Sequence, residues 1–296
     1  MSDEPLRMVA FDIDGVLIRG GTVLPGAREA LDEVVRRGLL LRFVTNNSTR
    51  HRSEIAARLT ELGLPVTADL VLTSAAATAA WLRGELLPGA RVLVVGGAGL
   101  VRELIEAGFD AAHVREAARP SGEAPAGSAS PTPVASGTTP AAAAVVVGLD
   151  RGFDYLTLAA AQQAILGGAL FVATNTDSTF PVEGAVLPGG GAIVEAVATA
   201  TNRQPVVIGK PEPKLAQTLI DSAGGGPRSI LFVGDRLGTD IEMARRAGLR
   251  SALVLTGVTG RSELGSPGQP VPDHVLESLE DLPALLDDLG AGPALR

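Results

Sequence analysis

Phe11-Asp12-Ile13-Asp14-Gly15-Val16-Leu17 continues an apolar run that begins at Met8, and it sets two carboxylates where a buried strand gives way to a turn. Met8 to Asp14 reads as that strand, and open α/β sheets bind ligands beyond the carboxyl ends of their strands. Two acids this close repel one another when both are ionised, so a cation or a retained proton is expected between them. A calcium loop of the EF-hand type is excluded. Its pattern requires an acid or amide at position 16 and glycine at 17, where the chain carries Val16 and Leu17.

Outward from this stretch, short β-branched runs alternate with helical patterns, the signature of parallel sheets wrapped by helices. Ala27 to Arg37 reads as a helix stopped by Gly38, and Leu39 to Thr45 as the next strand. Ser48 or Thr49 is expected to cap a helix running to Leu62, and a further helix covers Ala75 to Leu87. A second unit follows, with strands at Arg91 to Gly96, Ala143 to Leu149 and Leu170 to Thr174. Its helices are read at Leu100 to Ala107, at Tyr155 to Leu166 and after Gly189-Gly190-Gly191. Between them, residues 119–140 are Pro, Gly, Ser, Thr and Ala with almost no large apolar side chain, which predicts a disordered linker without chemistry. The first unit then resumes, with strands at Val206 to Gly209, Ser229 to Val233 and Ser251 to Leu255. Helices are expected beside them at Lys214 to Ala223, Asp240 to Ala247 and His274 to Leu286.

Three further stretches carry candidate chemistry. Thr45-Asn46-Asn47-Ser48 gathers hydroxyl, amide and main-chain donors after a strand, which suits an anion and equally suits helix capping. Lys210 follows a strand in Ile208-Gly209-Lys210-Pro211. It is not a Walker lysine, because Gln204 stands where the first glycine belongs and Pro211 where Ser or Thr belongs. Phe232-Val233-Gly234-Asp235 again ends a strand in acid, with Asp240 five residues on. Together the four stretches supply what phosphoryl transfer requires: a nucleophile, a proton donor, metal ligands and positive or hydrogen-bonding groups. Rival readings fail locally. From Gly97 or Gly189 the third glycine of a dinucleotide fingerprint would fall at Arg102 or Val194, and no G-x-S-x-G elbow is present.

The bulk properties narrow the setting. The 296 residues suffice for two domains, and 46% hydrophobic with 20% charged residues is the balance of a folded soluble protein. A net charge of −8 argues against nucleic acid or an anionic membrane as partner. The chain has no cysteine and three histidines, so a metal would be held by oxygen, which favours magnesium over zinc. An acidic N-terminus, and no apolar run long enough for a membrane span, point to the cytoplasm.

The order and wording of the four motifs resemble the haloacid dehalogenase superfamily of phosphatases, in its 4-nitrophenylphosphatase-like, NagD-type branch. The likeness runs over nearly the whole chain except residues 119–140. It implies a Rossmann-like α/β core from residues 1–83 and 204–296, with a large α/β cap inserted at 84–203. It also implies residue roles. Asp12 would be the nucleophile and Asp14 the general acid and base. Thr45, Asn46 and Asn47 would bind the transferred phosphoryl group, and Lys210 would neutralise it. Asp12, Asp235 and the Asp14 main-chain carbonyl would hold Mg²⁺, supported by Asp240. Ala173-Thr174-Asn175-Thr176-Asp177 and Phe180-Pro181 resemble the part of the cap that faces substrate. Phe180 replaces a histidine of the pyridoxal-phosphate phosphatases, which disfavours that substrate. The resemblance implies a small phosphomonoester as substrate: phosphoglycolate, glycerol phosphate or 4-nitrophenyl phosphate, with nucleoside monophosphates or sugar phosphates as the alternative. It also implies a homodimer formed through the cap. A receiver-like signalling domain shares the residue set, but its unit is shorter and lacks an inserted domain.

Overall fold

The computed structural model describes residues 4–117, 141–182 and 185–291. The expected linker at 119–140 lies outside these residues. The described chain divides into two compact units, one of residues up to 46, 52–77 and 209 onward, the other of residues 47–51 and 78–208.

The first unit is built on a six-stranded sheet in the order His274–Leu276, Arg250–Val254, Ile230–Gly234, Met8–Asp12, Leu40–Thr45, Val71–Thr73. Every pairing in it is parallel. Met8–Asp12 is buried at all five positions, as a central strand covered on both faces must be, which explains its unbroken apolar run. From it the chain builds outward to Leu40–Thr45 and Val71–Thr73, then returns to fill the other side from Ile230–Gly234. The order therefore reverses between Met8–Asp12 and Ile230–Gly234, and such a reversal opens a crevice at the carboxyl ends of the strands. Helix Ala27–Arg36 buries Ala27, Ala30, Leu31 and Val34, an i, i+3, i+4, i+7 stripe laid against this sheet's core.

The second unit carries a five-stranded parallel sheet in the order Val206–Val207, Leu170–Ala173, Ala144–Val147, Arg91–Val95, Asp110–His113. Helices Tyr155–Leu166 and Gly190–Thr201 pack on it through Ala161, Ile165, Val194 and Val197. A hairpin of Thr179–Val182 and Ala185–Pro188 stands apart as its own two-stranded sheet.

Three elements differ from the expectation. The strand read at Val206 to Gly209 is Val206–Val207 and belongs to the second sheet, because its neighbour Leu170–Ala173 offers the free edge. The helix read from His274 begins only at Leu282. His274–Leu276 instead completes the first sheet beside Arg250–Val254, and a capping box of Ser278 and Asp281 starts the helical turns after it. The helix expected to be capped by Ser48 or Thr49 begins only at Arg52, because Asn47 draws the Thr49 and Arg50 N–H groups onto its own Oδ1 and holds the backbone in a turn.

Candidate active site

Strand register brings the motifs together. Asp12 pairs with Val44, so Thr45 lies one step beyond it at the end of the adjacent strand. On the other side Phe11 pairs with Val233, which places Gly234 level with Asp12 and Asp235 just past the strand end. Asp12, Thr45, Lys210, Asp235 and Asp240 are all buried, an unusual density of polar groups for a protein interior.

Lys210 is fixed at both ends. The Asn46 carboxamide accepts from the Lys210 N–H and donates to the Lys210 carbonyl, both at 2.9 Å, and the Asn46 carbonyl in turn accepts from Ser74 Oγ at 2.7 Å. The Lys210 ammonium donates to Asp12 Oδ1 at 2.5 Å and stands 5.7 Å from the centroid of the buried Phe232 ring. Asp240 Oδ1 lies 2.7 Å from the same ammonium, near enough for an ion pair though not aligned as a hydrogen bond. Burial alone would lower the ammonium's pKa; the Asp12 and Asp240 carboxylates outweigh that and raise it, so Lys210 is charged.

Asp240 sits in a π-helical turn, Leu237–Ile241, that runs into the helix Glu242–Ala247. Such turns occur often at functional sites because the extra residue redirects a side chain. Here it turns Asp240 Oδ2 back to accept from the N–H groups of Asp235 and Arg236 at 3.1 and 3.0 Å. Asp235 is clasped from the other side by Thr256-Gly257-Val258-Thr259. Its Oδ2 accepts from the Val258 N–H at 2.8 Å, and its carbonyl from the Thr259 N–H at 3.1 Å. Two glycines let the backbone close on it. A Cβ on Gly15, where φ is +91°, would lie 2.3 Å from Asp235 Oδ2, and one on Gly257 would lie 2.0 Å away. Neither place tolerates a side chain.

The buried carboxyls of Asp12, Asp235 and Asp240 bring oxygens within 4.8 Å of one another, and the Lys210 ammonium contacts two of them, Asp12 and Asp240. Burial pushes the Asp12 carboxyl well above the usual carboxylate range, with Lys210 opposing the shift. Asp235 is pushed up to about 7 by burial first and the Asp240 charge second. Asp235 Oδ1 has no hydrogen-bond partner among the described residues, although it is fully buried. Three clustered carboxyls beside one ammonium, and the orphaned oxygen, fit one divalent cation with oxygen ligands.

The other candidate residues are placed as follows. Asp14 is exposed just beyond Asp12, in a loop closed by the Gly15 N–H donating to Ile18 O at 2.8 Å. Asn47 belongs to the second unit, where its Oδ1 accepts from Thr49 Oγ1 as well as from the Thr49 and Arg50 N–H groups. Phe180 is half-buried in the hairpin of the second unit, with the Arg151 guanidinium 5.5 Å over its ring. Sequence reasoning passed over the Thr256 to Thr259 clasp. Its signal was a Thr-Gly-Val-Thr run just after a buried strand, where a glycine lets backbone approach an acid.

Residues 9–110 match the family described as haloacid dehalogenase-like hydrolase, and residues 207–282 one described as HAD-hydrolase-like. The glycerol-3-phosphate phosphatase of Gallus gallus is 39% identical over 290 residues, covering 94% of this chain and 91% of that protein. The glycerol phosphate phosphatase of Mycobacterium tuberculosis, solved in complex with magnesium, superposes with a TM-score of 0.79 at 36% identity, over 94% of this chain and 76% of that one. NagD of Escherichia coli K-12 superposes with a TM-score of 0.76 at 29% identity, over 93% and 97% of the two chains. Buried acids at the carboxyl ends of the first sheet, both family matches around them, and likeness along almost the full length agree: this chain belongs to the haloacid dehalogenase-like hydrolases, in the branch that contains NagD.

Proposed function

We propose that this hydrolase is a Mg²⁺-dependent phosphatase of small phosphomonoesters that works through an aspartyl phosphate on Asp12. The observation that carries the reading is the buried Asp12 carboxylate held 2.5 Å from the Lys210 ammonium at the end of a central strand. A carboxylate oxygen of Asp12 attacks phosphorus and the bond to the leaving oxygen breaks, while Asp14, exposed to solvent, gives that oxygen its proton. Water then attacks the acyl phosphate, Asp14 takes its proton, and the bond from phosphorus to Asp12 breaks to free phosphate. Lys210 stabilises the phosphoryl charge and orients Asp12, and Thr45, Asn46 and Asn47 provide hydrogen-bonding groups for the phosphoryl oxygens. The Asp12 and Asp235 carboxylates with the Asp14 carbonyl would hold the cation, and Asp240 supports them by fixing the Asp235 backbone. When bound, the cation supplies Lewis-acid neutralisation of phosphoryl charge.

Glycerol phosphate is the proposed substrate by likeness to the glycerol phosphate phosphatases named above, and phosphoglycolate joins it by the family resemblance. The lack of cysteine is compatible with a reducing cytoplasm, and the family resemblance supports pairing of two copies through the second unit. No helix among the described residues is long and apolar enough to cross a membrane. Phosphate release is to be measured with and without Mg²⁺ over these esters, 4-nitrophenyl phosphate, nucleoside monophosphates and sugar phosphates. A protein that keeps a stable phosphoryl group and turns over none of them is a receiver, not a phosphatase.

Two expected outcomes follow from the site. Carboxyls whose pKa is raised on folding contribute stability that is complete at low pH and lost as pH climbs through the folded value. For Asp235 that window runs from the ordinary carboxylate range up to about 7, and Asp12 acts in the same direction. The chelator-treated protein should therefore lose melting temperature between pH 5 and pH 7.5, and added Mg²⁺ should raise it more at the upper end. A flat metal-free profile across this window contradicts the buried-acid account. The second outcome concerns the leaving group. Phe180→Ala should change the relative kcat/KM among phosphoesters by about 1–3 kcal/mol and leave Mg²⁺ dependence intact. An unchanged ranking with a lower Tm would return Phe180 to a packing role.

A further inference from the structure

Thr256-Gly257-Val258-Thr259 holds more than the Asp235 carboxylate. The Thr256 hydroxyl donates to the Gly15 carbonyl at 2.9 Å, across 241 residues of chain. Arg19, in the short strand Ile18–Arg19 that the turn after Asp14 leads into, donates to the Thr256 carbonyl. At the other end of the segment the Thr259 N–H donates to the Asp235 carbonyl at 3.1 Å, and the Thr259 hydroxyl accepts from the Leu237 N–H at 3.3 Å. Thr259 is buried and Thr256 half-buried. Gly257 lies between the two sides. A Cβ on Gly15 would come within 3.2 Å of Gly257 Cα, and a Cβ on Gly257 within 2.2 Å of Asp235 Cβ. One short segment thus touches both turns that carry acids of the site: the turn after Asp12, which holds Asp14, and the turn after Gly234, which holds Asp235 and Asp240. All of these residues belong to the first unit.

These bonds answer a difficulty the site creates. Carboxylates crowded within 4.8 Å repel one another and push apart the turns that carry them. Lys210 contacts Asp12 and Asp240, so its ammonium does not hold the Asp235 side chain in place; the 256–259 segment does. Magnesium demands near-octahedral oxygen ligands, so it binds well only where their spacing is set beforehand. We infer that residues 256–259 are a brace that sets the spacing between the Asp14–Gly15 turn and Asp235 for the cation, and that Thr256 and Thr259 are positioning residues acting through the main chain they hold. This rests on the metal site of the phosphatase reading given above.

Calorimetric titration of the ester-free protein with MgCl₂ tests it. Thr256→Val replaces the hydroxyl with a methyl of nearly the same size and removes the donor to Gly15. Mg²⁺ affinity should then fall about 10-fold or more, as it does when outer partners of metal ligands are lost. Thr256→Ser keeps the donor and should restore most of the affinity. Thr60→Val is the control. The Thr60 hydroxyl bonds the Ala56 and Val66 carbonyls at 2.9 Å each, in the first unit but outside the brace, so this variant should keep wild-type affinity. Thr259→Val leaves the Leu237 N–H without its acceptor and should weaken Mg²⁺ in the same direction; it decides the matter if Thr256→Val does not fold. In phosphate release, both valine variants should need more Mg²⁺ for half-maximal rate, while the ester KM at saturating Mg²⁺ stays near wild type. Wild-type Mg²⁺ affinity in folded Thr256→Val overturns the brace, as does a loss that Thr256→Ser does not repair or that Thr60→Val shares. Were the wild-type chain to bind Mg²⁺ but release no phosphate from any ester, the phosphatase reading would fall while calorimetry still judged the brace.

Discussion

Asp12→Asn is expected to lower steady-state phosphate release by about 10³-fold or more, in line with the loss of other covalent nucleophiles. The amide is nearly isosteric with the carboxylate, but it is a poor nucleophile and cannot form the acyl phosphate. The fold should survive. Asp12 is one of three clustered buried acids, so removing its charge relieves repulsion at the same time as it removes a partner of Lys210. Asp240, 2.7 Å from that ammonium, keeps it paired. Circular dichroism and a melting curve on a preparation free of wild-type protein check the fold, and phosphate release checks the chemistry. Near-normal turnover by that preparation would remove Asp12 from the role of nucleophile.

Lys210→Met should damage stability and activity together. The side chain is 4% exposed and its ammonium is the cation that both Asp12 and Asp240 contact, so methionine leaves buried carboxylates without their partner. Breaking a buried ion pair in this one-sided way costs roughly 3–5 kcal/mol, visible as a fall in Tm and in the denaturant midpoint. Turnover should drop by about 10²-fold or more even where the protein is folded, since a fixed charge beside the phosphoryl oxygens is lost. Excess Mg²⁺ should recover part of the Tm by neutralising the acids, but not the rate. Lys210→Arg is not a rescue, because the guanidinium is planar and larger than the compact ammonium that Asp12 and Asp240 contact. A folded Lys210→Met protein with wild-type kcat would show that the ammonium is structural only.

Much of this protein could be read from its residues in order. The run from Met8 to Asp12 is apolar throughout because a central parallel strand has no solvated face, so sequence alone marked it and put Asp12 at its end. Lys214–Ala223 and Tyr155–Leu166 fell where their patterns placed them, since helix periodicity and terminal glycines are local signals. The acids at 12, 14, 235 and 240 were legible as acids after strands. What they touch was not. That Asn46 holds the Lys210 backbone across a gap of 164 residues, that Asp240 turns back onto Asp235, and that Gly257 and Gly15 give way to its carboxylate are consequences of which strands neighbour one another. His274–Leu276 shows the same limit at the level of an element: three residues hold too little periodicity to separate strand from helix, and only the open edge of Arg250–Val254 made them a strand. Local chemistry along the chain determined which groups this protein has for phosphoryl transfer. Sheet order and close backbone approach, which depend on contacts between residues far apart in sequence, decided how those groups are held.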